Sequence, residues 1–429
     1  MAGSAGALAL VAACGGGGGS GSSGATVRWL NDETDPSSLS FLKSLVQEYN
    51  KHAGVSLQLD NISIGDKFTK VVASARAGRS YDMSFMGLPD AYHLTGLGLT
   101  TDLDKVVQAA GGESAFLPNT LFKISGHYRW FCNDLNLANI YYRKDWLEEA
   151  GLDIPRTWDE LVKVCQAFKQ HGHGGITQPM ALNEATAEEG AHILYSNDVQ
   201  FLDKDGNVIL DQGESKQRAV ESLQFLKQLS PYFPKGMTSA DFPQIIDTFV
   251  SEIAGITPYS GRLLETIIDK APKLEDKIVV GGYPTKDGKK PPVVLWAADG
   301  FVALKQGPHH AEAIDFLAWF VKNRLVDWLL TLPLQLQPAL KSTYDDKKWL
   351  ANDQVHKFKW YVDEQKKMAS EDGYQIAHGP GSLAPDLKSA KIFDAFTIGK
   401  MYQQTVLQGT PPSQVVDQAA QDIRKLLKS

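Results

Sequence analysis

Cysteine is scarce: three residues in a chain of 429, too few for a disulfide scaffold or a four-cysteine zinc site. Long apolar runs are also missing. The one short run at the front, Ala7 to Ala13, would span only ~10 Å as a helix against ~30 Å of hydrocarbon, so it does not cross a bilayer. Basic charge is not in excess. Forty-three Lys and Arg face 50 Asp and Glu, a formal charge of −7, which argues against nucleic acid as the main partner because phosphate binding needs a basic face. No Gly-x-Ser-x-Gly elbow, phosphate loop or dinucleotide fingerprint occurs, and there is no internal repeat or long polar linker.

What is present is an ordinary globular composition, 43% apolar and 22% charged, which excludes global disorder and a multi-span membrane protein. At ~150 residues per domain the length suggests two or three domains. The front end reads as an address. Residues 1–13 have the apolar core of a signal peptide, and Leu10-Val11-Ala12-Ala13-Cys14 resembles a bacterial lipobox, in which Cys14 is lipidated. Gly15 to Gly24 are all Gly or Ser, so 14–25 reads as the lipidated cysteine and a flexible tether. Met1 to Ser4 lack the basic residues that open a signal peptide, so a start further upstream, with a twin-arginine sequence, is expected.

From Thr26 the chain alternates strand and helix signals. Val27 to Leu30, Val55 to Leu59 and Tyr81 to Met86 read as strands. Leu42, Leu45, Val46 and Tyr49, then Phe68, Val71, Val72 and Ala75, fall at amphipathic-helix spacing. The alternation predicts an α/β fold with a parallel sheet wrapped by helices. Thr157-Trp158-Asp159-Glu160 is a capping box, followed by a helix with Leu161, Val164, Cys165 and Phe168 inward. A terminal helix is expected from about Ser413.

The stretch from Tyr141-Tyr142-Arg143-Lys144-Asp145-Trp146 through Ala150-Gly151-Leu152-Asp153 to Thr157-Trp158-Asp159-Glu160-Leu161 resembles a signature of the extracellular sugar-binding proteins of ABC importers, the maltose-binding protein superfamily. Ser80 to Met83 with Gly98 to Leu103, Phe249 to Pro258, and Pro338 to Ser342 resemble further blocks of that family in order and spacing. The resemblance covers essentially the whole mature chain. It implies a two-lobe periplasmic-binding-protein fold with hinge crossings and a ligand cleft between the lobes. The crossings would fall near Asn133–Leu137, Ala297–Gly300 and Gln337–Lys341. The N-terminal lobe would be 26–135 plus 300–338, and the C-terminal lobe 137–298 plus 341–429. The implied function is capture of a sugar and its delivery, unchanged, to importer permease subunits. The protein would be a monomer without cofactor or catalytic residues, lipid-anchored in the periplasm or on the outer face of the cytoplasmic membrane.

Sugar capture needs planar polar groups for the hydroxyls and an aromatic plate for the C–H face, since each buried unpaired polar group costs ~1–3 kcal/mol. Asn31, Asp32 and Glu33 follow the first strand, at the carboxyl end where α/β sheets bind ligands, or form a turn into a helix cap. Asp90 follows the third strand, as ligand contact or N-cap. Asn133 and Asn136 lie at the first implied crossing and Asp299 at the second. By the family's pattern Tyr259 and Trp296 are candidate plates; as ordinary aromatics they would be core. Arg262 serves either an acidic sugar group or the orientation of a carboxylate. Two other readings share these residues: binding of a non-sugar solute such as a polyamine or anionic osmolyte, and a secreted glycoside-active enzyme, for which no carboxylate pair stands out.

Asp203-Lys204-Asp205-Gly206-Asn207 reads as a turn rather than a calcium loop, because its glycine is misplaced for an EF-hand. His171 and His173, like His309 and His310, lack zinc spacing and a nearby acid as third ligand, so no metal is expected. Cys132 and Cys165 are expected to stay unpaired.

Overall fold

A computed structural model describes residues 24–53, 55–377 and 387–428. The residues expected to form a signal peptide, Cys14 and most of the expected tether lie outside the described residues. In chain order the elements that position the site are β1 (Thr26–Asn31), α1 (Pro36–Ala53), β2 (Ser56–Asn61), α2 (Lys67–Arg76), β3 (Met83–Gly87), α3 (Leu88–Gly96), β4 (Phe131–Leu135), β5 (Asn139–Arg143), α4 (Lys144–Ala150), α5 (Trp158–Gln170) and α6 (Glu184–Glu188). They continue with β6 (Ile256–Tyr259), α7 (Arg262–Lys270), β7 (Ile278–Gly281), β8 (Val293–Leu295), β9 (Ala298–Ala303), α8 (His310–Asn323), β10 (Gln337–Pro338), β11 (Gln375–Ala377), α9 (Leu387–Asp394) and α10 (Pro412–Leu426).

Two main sheets organise the chain. The larger has six strands in the order β10-β4-β9-β3-β1-β2, the other three in the order β6-β5-β7. Strands β1, β2 and β3 run parallel, as their helical crossovers require. The expectation of an all-parallel sheet does not extend further. β9 enters between β3 and β4 antiparallel to both, and β10 is antiparallel to β4. These strands arrive from outside the sheet rather than over a βαβ crossover, so nothing imposes the parallel sense. The chain passes from the larger to the smaller sheet between β4 and β5 and returns between β8 and β9.

Helix starts follow local chemistry. Asp35 Oδ1 accepts from the Ser37 and Ser38 N–H groups at the mouth of α1, and the Thr157–Glu160 box caps α5 reciprocally. Gly151 closes α4 at φ 64°, where a side chain would be strained. β9 carries a bulge between Asp299 and Gly300. A Cβ on Gly300 would stand 2.3 Å from the Phe131 carbonyl oxygen, so only glycine lets β9 close on β4 there. Trp29, Phe301, Phe316 and Phe320 fill the core beneath the larger sheet. Cys132 and Cys165 are both free and buried, and burial pushes both thiols up.

Candidate functional site

The carboxyl ends of the central strands converge on one buried ion pair. Lys67, the first residue of α2, donates from Nζ to Asp32 Oδ2 at 2.5 Å, with side chains 4% and 6% exposed. Asp32 follows β1, Asp90 lies in the first turn of α3, and Asp299 lies on β9 opposite Gly87 and Asp134. Burial works against the Lys67 ammonium. The Asp32 carboxylate, with Asp90 and Asp299 behind it, nonetheless holds its pKa above the usual lysine value. Burial pushes Asp90 and Asp299 up to about 6 against the pull of Lys67.

The facing wall is α6, capped where the Asn183 side chain accepts from the Thr186 N–H. Glu184 and Glu188 are four residues apart, hence on one helical face. Burial raises Glu184 to about 7, with the Asp90 charge adding to it. It raises Glu188 well above the ordinary range, helped by Glu184, Asp299 and Asp90. Neither glutamate was singled out from sequence. The available signal was Glu184-Ala185-Thr186-Ala187-Glu188-Glu189, three acids with no basic residue among them. Lys67 was also missed, although it falls in phase with Val71 and Ala75, the other buried residues of α2. A lysine on an apolar stripe needs a partner.

The remaining candidates are placed elsewhere. Asn31 is 1% exposed and its side-chain amide lies 2.9 Å from that of Asn61, its register partner on β2, with its oxygen placed to accept from the Asp32 and Glu33 N–H groups. Glu33 Oε1 accepts from the Thr34 and Asp35 N–H groups, both at 2.7 Å, so its carboxylate organises the turn before α1. Asn133 is fully enclosed in β4 and donates to Asp134 at 2.6 Å. Asn136 uses its backbone N–H on the Ala297 carbonyl. Its side-chain oxygen has no hydrogen-bond partner among the described residues. Tyr259, 4% exposed, is a packed residue edge-on to Phe242, not an open plate. Trp296 is half-buried and edge-on to Phe122 and Trp130 at 5.5 and 6.1 Å. Arg262 opens α7, donates to Gln335 Oε1 at 3.0 Å and stands 3.8 Å from Asp35. Of the ten ligand-contact candidates, Asp32, Asp90 and Asp299 join the convergent cluster, and Glu33 lies near enough for its charge to add to the rise at Asp299.

A second link spans the same gap. α9 lies against α3, with Asp394 Oδ2 2.6 Å from His93 Nδ1 and Leu387 against Gly96. The histidine expectation needs a correction at one point. Glu149, from α4, stands 3.1 Å from His171 and 2.8 Å from His173, which stacks on Trp146. The missing acid comes from 22 residues upstream, out of reach of local spacing. No three His, Cys, Asp or Glu are grouped to hold a metal ion among the described residues. The Asp203 turn is built as expected, with Oδ1 accepting from the Asp205 and Asn207 N–H groups and Gly206 at φ 75°.

Residues 34–324 match the model of the bacterial extracellular solute-binding protein family. The chain belongs to that family. Among curated relatives of this solute-binding protein, the putative ABC transporter periplasmic-binding protein YcjN of Escherichia coli is 25% identical over 51% of this chain and 49% of its own length. The arabinooligosaccharide-binding protein of Halalkalibacterium halodurans is 24% identical over 56% and 53%. The chain thus spans about half the length of each curated relative. A solved structure, maltose-bound MalE3 of T. maritima, superposes with a TM-score of 0.76 at 18% identity, covering 94% of this chain and 100% of that one. The fold is therefore the two-lobe α/β architecture of periplasmic binding proteins.

Proposed function

We propose that this solute-binding protein captures a saccharide between its two walls and hands it, unchanged, to the permease of an ABC importer. The observation that carries the reading is that Asp32, Lys67, Asp90 and Asp299 on one wall meet Glu184 and Glu188 on the other. Carboxylates accept hydrogen bonds and an ammonium donates them, the complement of a polyhydroxylated ligand. Support comes from relatives described as binding arabino-oligosaccharide and maltose. In this reading 26–135 with 300–338 form one lobe and 137–298 with 341–429 the other. Closure is favoured because only the closed form brings both walls to the ligand. The chain acts as a monomer without catalysis, held near the permease by a lipid on Cys14. A thermal-shift panel of mono- and oligosaccharides tests this, with small-angle scattering on each hit. Stabilisation with compaction is expected; product formation, or no response to any saccharide, overturns it.

A further inference from the structure

One imidazole stands where the wall formed by α6 and the chain crossings meet. His192 is 1% exposed and lies three residues beyond Glu189, which directly follows α6. Its Nδ1 is 2.9 Å from the Glu189 carbonyl oxygen, and its Nε2 is 3.1 Å from the Ala138 carbonyl oxygen. Ala138 belongs to the short passage from β4 to β5. The same oxygen accepts from the Leu295 N–H at 2.9 Å, and Leu295 ends β8 just before the return passage into β9. Tyr283 stacks on the imidazole with its ring centroid 5.6 Å away. Burial lowers His192 to about 4, so at pH 7 the ring is neutral and holds a single N–H. Two carbonyls therefore compete for one donor, and they belong to different elements. A proton on Nδ1 turns the bond back on the wall's own chain. A proton on Nε2 ties the wall to the crossing. A buried donor with two discrete arrangements is an element whose balance a ligand elsewhere can bias. We propose that His192 is a positioning residue that links the wall carrying Glu184 and Glu188 to the crossing, engaged with its N–H on Nε2 and disengaged with it on Nδ1. The engaged form accompanies the closed cleft. Its service in sugar capture rests on the saccharide reading above, whereas the link itself is a property of the ligand-free protein.

Asparagine and glutamine place an amide donor near the positions of Nδ1 and Nε2 respectively. His192→Asn thus fixes the disengaged bond and His192→Gln the engaged one. Amide hydrogen exchange is read at pH 7 on the ligand-free full chain, over peptides spanning 136–140 and 293–297. Exchange there is expected to be about fivefold faster in H192N than in the wild type, the worth of one ordinary hydrogen bond, and unchanged in H192Q. Calorimetric titration with a saccharide panel, maltose and arabinotriose included, is expected to show a Kd about fivefold higher for H192N and the wild-type value for H192Q. Nitrogen-15 spectra of the wild-type protein labelled at histidine need no variant and report the protonated ring nitrogen directly. The His192 proton is expected to move toward Nε2 as sugar saturates the protein. Equal exchange and affinity in the two variants, or equal losses in both, reduces His192 to packing and overturns the link. So does a wild-type ring that keeps its proton on Nδ1 with sugar bound. Silence from every saccharide, with the exchange contrast between H192N and H192Q intact, overturns the saccharide reading and leaves the link standing.

Discussion

Lys67 touches Asp32 and feels Asp90 and Asp299, and its side chain and that of Asp32 are 4% and 6% exposed, so its removal leaves the Asp32 carboxylate without its buried partner. Breaking a buried pair by deleting one partner typically costs 3–5 kcal/mol. Lys67→Met is therefore expected to destabilise the protein by about 3 kcal/mol or more at pH 7 in urea unfolding. An unchanged midpoint would show that the pair is not buried in solution. The same carboxylates set a pH dependence. Asp90 and Asp299 rise from 3.8 to about 6 and Glu184 from 4.5 to about 7. Between about pH 4 and 7 the folded state holds more protons at these groups than the unfolded chain. Stability then falls as pH rises through that window. His192 works the other way: burial lowers it to about 4, so its contribution grows from pH 4 to 6.5. Three carboxyl groups outweigh one imidazole. The ligand-free protein is expected to have a higher urea midpoint at pH 5 than at pH 7.5, and Glu184→Gln to flatten the difference. A midpoint that climbs with pH would refute the assignment.

The segment most diagnostic of the family is a folding unit rather than a binding one. Arg143, at the end of β5 and 2% exposed, clamps both Asp145 oxygens at 2.8 and 2.6 Å, reaches Glu252 at 2.8 Å and lies over the Trp146 ring. Tyr141 and Tyr142 are fully buried beside it. Arg143→Met is expected to cost about 1.5–3 kcal/mol through its lost charge-assisted hydrogen bonds and Thr157→Ala about 1 kcal/mol through the lost cap. Ligand affinity of the folded variants should be unchanged; a selective loss of affinity in either would contradict a purely structural role. This division explains what could be read from the sequence. Helices α2, α5 and α10 were visible because their apolar faces and caps are local patterns; Asp32 and Asp90 stood out because they follow strands, and Asp299 because the family resemblance implies a crossing there. Asn31 and Tyr259 were misplaced because alternation along a strand decides which side a residue faces. One position of register sends the side chain inward. Lys67, Glu184 and Glu188 escaped notice because helices far apart in the chain bring them together, and no local spacing encodes that meeting.

At the scale of the molecule, α3 and α9 pack against each other, and in the proposed two-lobe reading this contact permits closure to be varied apart from folding. The His93–Asp394 pair has side chains 23% and 28% exposed, so it contributes at most about 1 kcal/mol. Gly96 offers a sharper lever. A Cβ there would stand 3.0 Å from Leu387 Cδ2, with the Leu387 side chain supplying its three nearest neighbours. Gly96→Leu therefore inserts four carbons between α3 and α9 when the walls approach, and meets open space when they part. Gly96 closes α3, so replacing it there removes no more than a few tenths of the ~1 kcal/mol interior glycine penalty. Thermal stability of the ligand-free protein is thus expected to hold or rise. Because apparent affinity scales with the fraction able to close, a wedge costing about 1.4 kcal/mol raises Kd about tenfold. Scattering should show a larger radius of gyration than for the wild type at the same ligand saturation. A variant that is less stable, yet binds as tightly as the wild type, would mean that α3 and α9 belong to one rigid body and that the cleft closes elsewhere.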